Sequence, residues 1–354
     1  MKSIIVLISL ISSLSSYSVP KLQFIGEQSF DSSKILNGLK FGGISGIVKA
    51  DESTWYAISD DRADHGVARY FSLEIKEKDR SLFVTPKKWI ELKAQDGKSY
   101  EKGSIDFEGI TLLGNGNLLI SSEGDHRFEK KIDPALSEYK LNGEFVKTWT
   151  VPVKFLPPKR GLRNRGVRFN LSLESLAASD DQSRVFTINE EPLVQDGELL
   201  DKEDGIVRIV EYNRSKPVAE YPYLASQLPN PWKFPEAKGN NGVVDLLYYE
   251  KNQVIVVERA FLKNNYKNVI RLYLSELDAK KNIKMVESLK KSKVVPLKKS
   301  LLLDLETIPT KLDNIEGIAW GPKLKDGSRT IILVSDNNFS SKQRTLFLFF
   351  KLVP

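Results

Sequence analysis

One hairpin recurs five times along the chain, and this recurrence limits the fold more than any other feature of the sequence. The copies fall at residues 42–62, 106–125, 171–192, 242–260 and 313–339. Each opens on a small or acidic residue and a short apolar run. It turns through Asp, Asn, Gly or Ser, and a second apolar run then ends on an acid. These are the signals of a β-hairpin. Further β-rich runs lie between copies, at 68–76, 206–213 and 269–278, and no long helical period appears.

The spacing of the copies is nearly constant. Their markers Ser45, Glu108, Glu174, Asp245 and Glu316 stand 63, 66, 71 and 71 residues apart. The stretch after Glu316 joined to the stretch from Val19 to Ser45 makes 64 more, one further period. Units of this length have room for four strands, so the expected fold is all-β: a five-bladed β-propeller, which leaves no long exposed sheet edge. Residues 19–354 would form this single domain, with the run 344–352 and a strand near 21–26 sharing the last blade. Six blades are the alternative if one copy has lost its signature. A two-sheet sandwich would not account for one hairpin at even spacing.

Lys2, the apolar stretch from Ile4 to Leu14 and the serines up to Ser18 read as a signal peptide spanning 1–18, cleaved near Ser18. The stretch is short for a membrane span, and no later run approaches the required ~18 residues. A secreted or periplasmic protein is therefore expected, with no integral membrane segment after cleavage.

Composition narrows the chemistry. The chain has no cysteine, which excludes disulfides, Cys-bound zinc and thiol nucleophiles. It has only two histidines, His65 and His126, too few for a three-histidine zinc site. There is no Gly-x-Ser-x-Gly elbow and no phosphate-cradling Gly-Lys-Ser/Thr loop. Lys and Arg number 53 against 46 Asp and Glu, a net charge of +7 that permits anionic ligands without demanding nucleic acid. Carboxylates, arginines and lysines are left to carry any reaction.

The hairpins set carboxylates against each other. Centring the second turn on Asn115-Gly116 makes Glu108 face Glu123. The same construction pairs Ser45 with Asp60, Glu174 with Glu190, Asp245 with Glu258 and Glu316 with Asp336. Like charges directly opposite on a sheet are destabilising, so repeated acid pairs need cations, shared protons or donors. If the first hairpin of every unit lines the axis, the acids converge on one mouth of the central channel. An oxygen-only donor set suits calcium first, then magnesium or manganese. The competing reading makes each carboxylate a staple that accepts backbone N–H bonds from the neighbouring blade.

Arg62, Arg127 and Arg259 lie close in sequence to these acids, and Arg165 and Arg168 belong to a cluster just before Glu174. Guanidinium groups match phosphate and carboxylate geometry, so these five are candidate substrate ligands. His126, beside Glu123, is either a general acid at the mouth or a loop histidine, and His65 has the same two readings. Lysines in the stretch 290–299 read as a solvated strand edge.

Several of these segments together resemble the phytase-like esterase family. They are Gly43-Ile44-Ser45-Gly46 with Ser59-Asp60-Asp61-Arg62, and Phe107-Glu108-Gly109-Ile110 with Ser121-Ser122-Glu123-Gly124. Asn189-Glu190-Glu191-Pro192, Glu258-Arg259, and Asp313-Asn314-Ile315-Glu316-Gly317 with Ser335-Asp336-Asn337-Asn338-Phe339 complete the set. The similarity spans about residues 40–350. It implies a propeller whose acids Asp60, Asp61, Glu108, Glu123, Glu174, Glu190, Glu258, Glu316 and Asp336, with Arg62 and Arg259, form a phosphoesterase-type site. Two positions depart from the family pattern. Asn337 stands where a second Asp is expected, and Leu173-Glu174-Ser175-Leu176 replaces Phe-Glu-Gly-Leu.

The leading expectation is a monomeric phosphoesterase acting on a small anionic, phosphorylated substrate. Its metal ligands would come from Asp60, Asp61, Glu108, Glu123, Glu174, Glu190, Asp245, Glu258, Glu316 and Asp336, with Glu108, Glu123, Glu316 and Asp336 as the catalytic acids. A metal-assisted carboxylic ester or lactone hydrolase, and a non-catalytic binding propeller, are the rivals.

Overall fold

Twenty strands are arranged as five four-stranded antiparallel blades in a computed structural model that describes residues 20–125, 132–160, 162–229 and 239–353. The proposed signal peptide lies outside the described residues, as do His126 and Arg127. Strand β1 is Lys21–Asp31, and a small hairpin, β2 (Ile35–Leu36) and β3 (Leu39–Lys40), leads into the first blade. That blade is β4 (Ile44–Lys49), β5 (Thr54–Ser59), β6 (Arg69–Lys78) and β7 (Ser81–Glu91). The second is β8 (Phe107–Leu112), β9 (Leu118–Ser122), β10 (Ala135–Tyr139) and β11 (Phe145–Trp149). The third is β12 (Ala177–Ala178), β13 (Arg184–Ile188), β14 (Gly205–Asn213) and β15 (Lys216–Ala225). The fourth is β16 (Gly239–Glu250), β17 (Gln253–Leu262), β18 (Lys267–Glu276) and β19 (Lys299–Asp304). The fifth holds β20 (Asn314–Trp320), β21 (Thr330–Asp336) and β22 (Arg344–Val353), with β1 as its outermost strand.

The ring is closed by that last pairing. β1 runs antiparallel to β22 from Lys21–Val353 to Asp31–Arg344, so the two ends of the described chain share one sheet. Alternation then builds the core. On β17, Val254 and Val256 pack toward the third blade with Phe186 and Ile188. Ile255 and Val257, one step along, pack toward the fifth with Ile318 and Leu333. A strand buried on both faces in this way has no polar side. The same arrangement fills the other three joins: Trp55 and Phe71 with Val334 and Phe347, Tyr70 with Phe107 and Leu118, Leu136 with Val185. Five apolar layers thus cement five joins, and the innermost strands β4, β8, β12, β16 and β20 surround the axis.

Candidate functional site at the propeller mouth

The carboxylates reach the axis through a shared irregularity. In each innermost hairpin the register slips by one residue near the marker position: between Ile44 and Gly46, Phe107 and Ile110, Val243 and Asp245, and Ile315 and Gly317. In the third blade, Leu173 opposes Asn189 and Ala177 opposes Phe186, which again leaves one residue extra. These are β-bulges, which re-aim a side chain. They correct the expected pairing. Glu108 does not face Glu123, whose N–H bonds instead to the carbonyl of Asp106 at 3.0 Å. The second turn is a three-residue loop, Gly114-Asn115-Gly116, closed by the Leu113 N–H to the Asn117 carbonyl, so its centre is Asn115. Asp336 is likewise opposite Asn314, and Glu258 is opposite Val243.

Two rings follow from the true register. At the bulge stand Ser45, Glu108, Glu174, Val244 and Glu316. At the end of the second strand stand Asp60, Glu123, Glu190, Arg259 and Asp336, each opposite the equivalent residue Gly43, Asp106, Ser172, Gly242 or Asn314. The fourth blade therefore breaks the pattern twice. Val244 replaces an acid at the bulge, and Arg259 replaces one at the strand end.

Glycine after the marker has a steric reason. A Cβ on Gly46 would lie 2.6 Å from the carbonyl oxygen of Glu108, and one on Gly109 would lie 2.6 Å from the carbonyl carbon of Ser175 in the next blade. These contacts press the first inner strand against the second and the second against the third, which brings carboxylates from successive blades together.

The acids line a cavity of about 1300 Å³ with Asp60, Glu108, Glu123, Glu174, Glu190, Glu316 and Asp336 in its wall. Among the described residues, two groups of three are close enough to share one cation: Asp60, Asp106 and Glu108, and Glu123, Glu174 and Glu190, with oxygens within 4.8 Å of one another. Oxygens on opposite sides of a calcium ion, each about 2.4 Å from it, stand about 4.8 Å apart. Asp60 Oδ1 is buried and has no hydrogen-bond partner among the described residues.

Burial is the main electrostatic cost. It pushes Asp60 well above the usual carboxylate range, and the charges of Asp106 and Asp336 add to the rise. Burial and then Asp60 and Glu123 do the same to Glu108, and burial with Glu123 and Glu190 to Glu174. Glu123 is pushed up to about 7 by burial, held back by the donors of Glu174 and the Ser172 N–H. Burial raises Glu190 and Glu316, and Arg259 opposes it in both. Asp336 rises through burial and then the charge of Glu316. Such crowding is relieved by protons or by a cation.

Among the described residues, the cations of the wall come from one side. Arg259 belongs to the fourth blade, Lys311 precedes the fifth, and Lys342 and Arg344 lie in the fifth. Both acid triplets come from the first three blades. Arg259 donates to Glu316 at 2.5 Å and lies 3.5 Å from Glu190.

A family model for the esterase-like activity of phytase matches residues 39–339 of this chain. The chain belongs to the phytase-like family. No curated protein matches the sequence closely enough to count as a relative. Among solved structures, an endo-arabinase from Bacteroides thetaiotaomicron aligns at 13% identity and TM-score 0.44, over 89% of this chain and 95% of that one. A chain of a mitotic checkpoint complex aligns at 8% identity and TM-score 0.34, over 93% and 96%. The tail fibre of Staphylococcus aureus phage P68 aligns at 9% identity and TM-score 0.30, over 94% and 53%.

Several expected site residues of this phytase-like propeller lie away from the cavity wall. Asp61 is paired with the fully buried Arg69 and accepts from the N–H of His65 at 2.8 Å. Glu258 accepts from Tyr223 at 2.8 Å and Lys299 at 2.7 Å, one strand position outside the ring. Asp245 sits beside the bulge rather than in it. Its Oδ2 accepts the N–H of Ile318 at 2.8 Å, which staples the fourth blade to the fifth. Arg62 does not line the wall; it lies 3.5 Å from Asp106 and 2.6 Å from Asp125. Arg168 donates to the carbonyls of Pro192 and Gly197, and Arg165 is exposed outside the cavity. Ser45 bonds the carbonyl of Glu108 in the next blade at 2.9 Å.

Asn337, one of the two departures, is no gap in the wall. It is fully buried and accepts from the N–H groups of Gly43 and Phe339. The repeat pattern does not single out Asp106, Lys311, Lys342 or Arg344. For Asp106 a signal existed: it stands two residues before the marker, the place held by Asn314 in the fifth blade.

Proposed function

We infer that the chain has an esterase or hydrolase kind of function, which its membership of the phytase-like family supports. We propose that the propeller is exported and hydrolyses a phosphate ester, mono- or diester, of a small anionic substrate, with a divalent cation held at the mouth. Calcium is the first choice and magnesium or manganese the alternatives. The observation that carries this reading is the pair of carboxylate triplets, Asp60/Asp106/Glu108 and Glu123/Glu174/Glu190, beside a wall of cations. The donor set fits a hard cation: all oxygen, mutually repelling, and containing the unpartnered Asp60 Oδ1.

When bound, such a cation polarises a phosphoryl oxygen and lowers the pKa of water. The residues of the chain divide the remaining work. Arg259, kept charged by Glu316, Glu190 and Glu174 against the opposing effect of burial, binds the anionic oxygens of the ester. Glu316 and Asp336 line the cavity outside both triplets, and Asp336 takes the proton of the attacking water. Arg62, paired with Asp106 and Asp125, holds Asp106 in place. Cations in the wall favour a phosphate over a neutral carboxylic ester.

The test is hydrolysis of matched phosphomonoester, phosphodiester and carboxylic ester chromogens in calcium and in chelator. Calcium-dependent release from one phosphate ester is the expected result. Release from the carboxylic ester alone, or from none of the three, would overturn the reading.

A further inference from the structure

The fourth blade carries a feature at the mouth that hydrolysis of phosphate does not use. Asn240, Phe261 and Asn268 are direct cross-strand partners on β16, β17 and β18. Partners opposed in an antiparallel sheet project from the same face, and all three line the cavity. The row reads amide, aromatic ring, amide. Oδ1 of Asn268 is buried and has no hydrogen-bond partner among the described residues.

Tyr266, in the turn between β17 and β18, extends the row. It also lines the cavity, its ring centroid is 6.4 Å from that of Phe261, and it is 84% exposed. Its backbone is left-handed, with φ at 53°. A bulky residue there is strained, whereas glycine or asparagine would form the turn more easily. Neither packing nor turn geometry calls for a large exposed aromatic at this position.

We propose that Phe261 and Tyr266, flanked by Asn240 and Asn268, form a shelf for a planar ring. The substrate of the phosphoesterase reading, on which this inference rests, would then be a phosphate ester whose organic part carries a flat unsaturated ring with an N–H donor on its edge. A nucleoside monophosphate meets that description. The ring stacks on Tyr266, the edge donor satisfies Asn268 Oδ1, and the phosphate faces Arg259 and the acids. Aromatic stacking on a ring is tolerant of base identity, so the shelf selects for a ring and not for one base.

The test compares binding of adenosine 5′-monophosphate with that of ribose 5-phosphate, by titration calorimetry in calcium and in chelator. The two probes share sugar and phosphate and differ only in the ring. The expected result is about tenfold tighter binding of the nucleotide, from a stacked base. Tyr266→Ala is expected to lose most of that ratio, Tyr266→Phe to keep it, and Asn268→Leu to reduce it severalfold. Tyr266 is exposed, so these turn variants should keep the thermal unfolding midpoint of the parent. Equal binding of the two probes, no binding of either, or an unchanged ratio in Tyr266→Ala would overturn the shelf. Failure of the hydrolase reading would appear separately, as no phosphate release from any ester in calcium, with the binding ratio intact.

Discussion

Arg259 and Glu316 meet across the join of the fourth and fifth blades, Nη1 to Oε1 at 2.5 Å, and Asn314 donates to the same oxygen at 2.8 Å. The arginine stands where the other four blades place Asp60, Glu123, Glu190 and Asp336. One positive charge in a ring of acids lowers the repulsion around it and leaves a guanidinium facing the cavity. Arg259→Ala should therefore cut kcat/KM for a phosphate ester by about 10²-fold or more, on the scale of losing one charged transition-state donor. It should also cost about 3 kcal/mol of stability, because Glu316 and Glu190 lose their buried partner. Arg259→Lys should recover part of both. Kinetics and denaturant unfolding of the same preparations check the two effects.

The acid cluster sets an unusual pH dependence for the metal-free protein. Glu123 moves from 4.5 to about 7, and burial raises its neighbours as well. A carboxyl whose folded pKa is raised binds its proton more tightly in the folded state. Its contribution is greatest at low pH and is lost as pH climbs from the unfolded value through the folded one. In chelator the thermal midpoint should fall as pH rises from about 4.5 to about 7. Saturating calcium at pH 7.5 should restore it, because the cation then does what the protons did. A midpoint that rises across that window without metal would contradict the proposed coupling of the acids.

Asp245 and Glu174 separate staple from ligand. Asp245 is buried, and its Oδ2 accepts from the Ile318 N–H. Asp245→Ala should cost about 1–3 kcal/mol by leaving that donor unsatisfied, while calcium affinity of the folded protein stays within about twofold. Glu174→Gln should do the reverse. It removes a repelling charge beside Glu123 and Glu190 and so stabilises the metal-free protein, but it weakens calcium binding by tenfold or more. Calorimetric calcium titration and unfolding of both variants decide the assignment.

Gly109 tests the join between blades. Its Cβ position is 2.6 Å from the Ser175 carbonyl carbon and 2.7 Å from the Leu176 nitrogen, and backbone cannot swing away as a side chain can. Gly109→Ala should cost at least about 2 kcal/mol by overpacking. Gly97→Ala, where φ is +78° but no atom lies within 4 Å of the added carbon, should cost about 1 kcal/mol from backbone strain alone. Denaturant midpoints of the two variants give the comparison.

The blade count and the closure of the ring were legible in the sequence. A hairpin that recurs every 63 to 71 residues, with matching remainders at the two ends, allows few other solutions. A continuous apolar run such as Val254 to Val257 carries the layers on both sides of its blade, because successive side chains of a strand point to opposite faces. The acids Glu108, Glu123, Glu174, Glu190, Glu316, Asp60 and Asp336 were legible as a repeated set for the same reason.

Which acids face the cavity was decided only by tertiary structure. A bulge adds one residue to one strand, and one residue turns a side chain to the opposite face. That shift set Val244 where Asp245 was expected and made Arg259, not Glu258, the fourth blade's member of the ring. Asp61, Glu258 and Arg168 were diverted by partners distant in sequence or hidden by the local pattern: Arg69, Lys299 and the Pro192 carbonyl. Local periodicity reports the face a strand would present if it stayed regular. The meeting of blades determines where it does not, and the candidate site is built from those irregular positions.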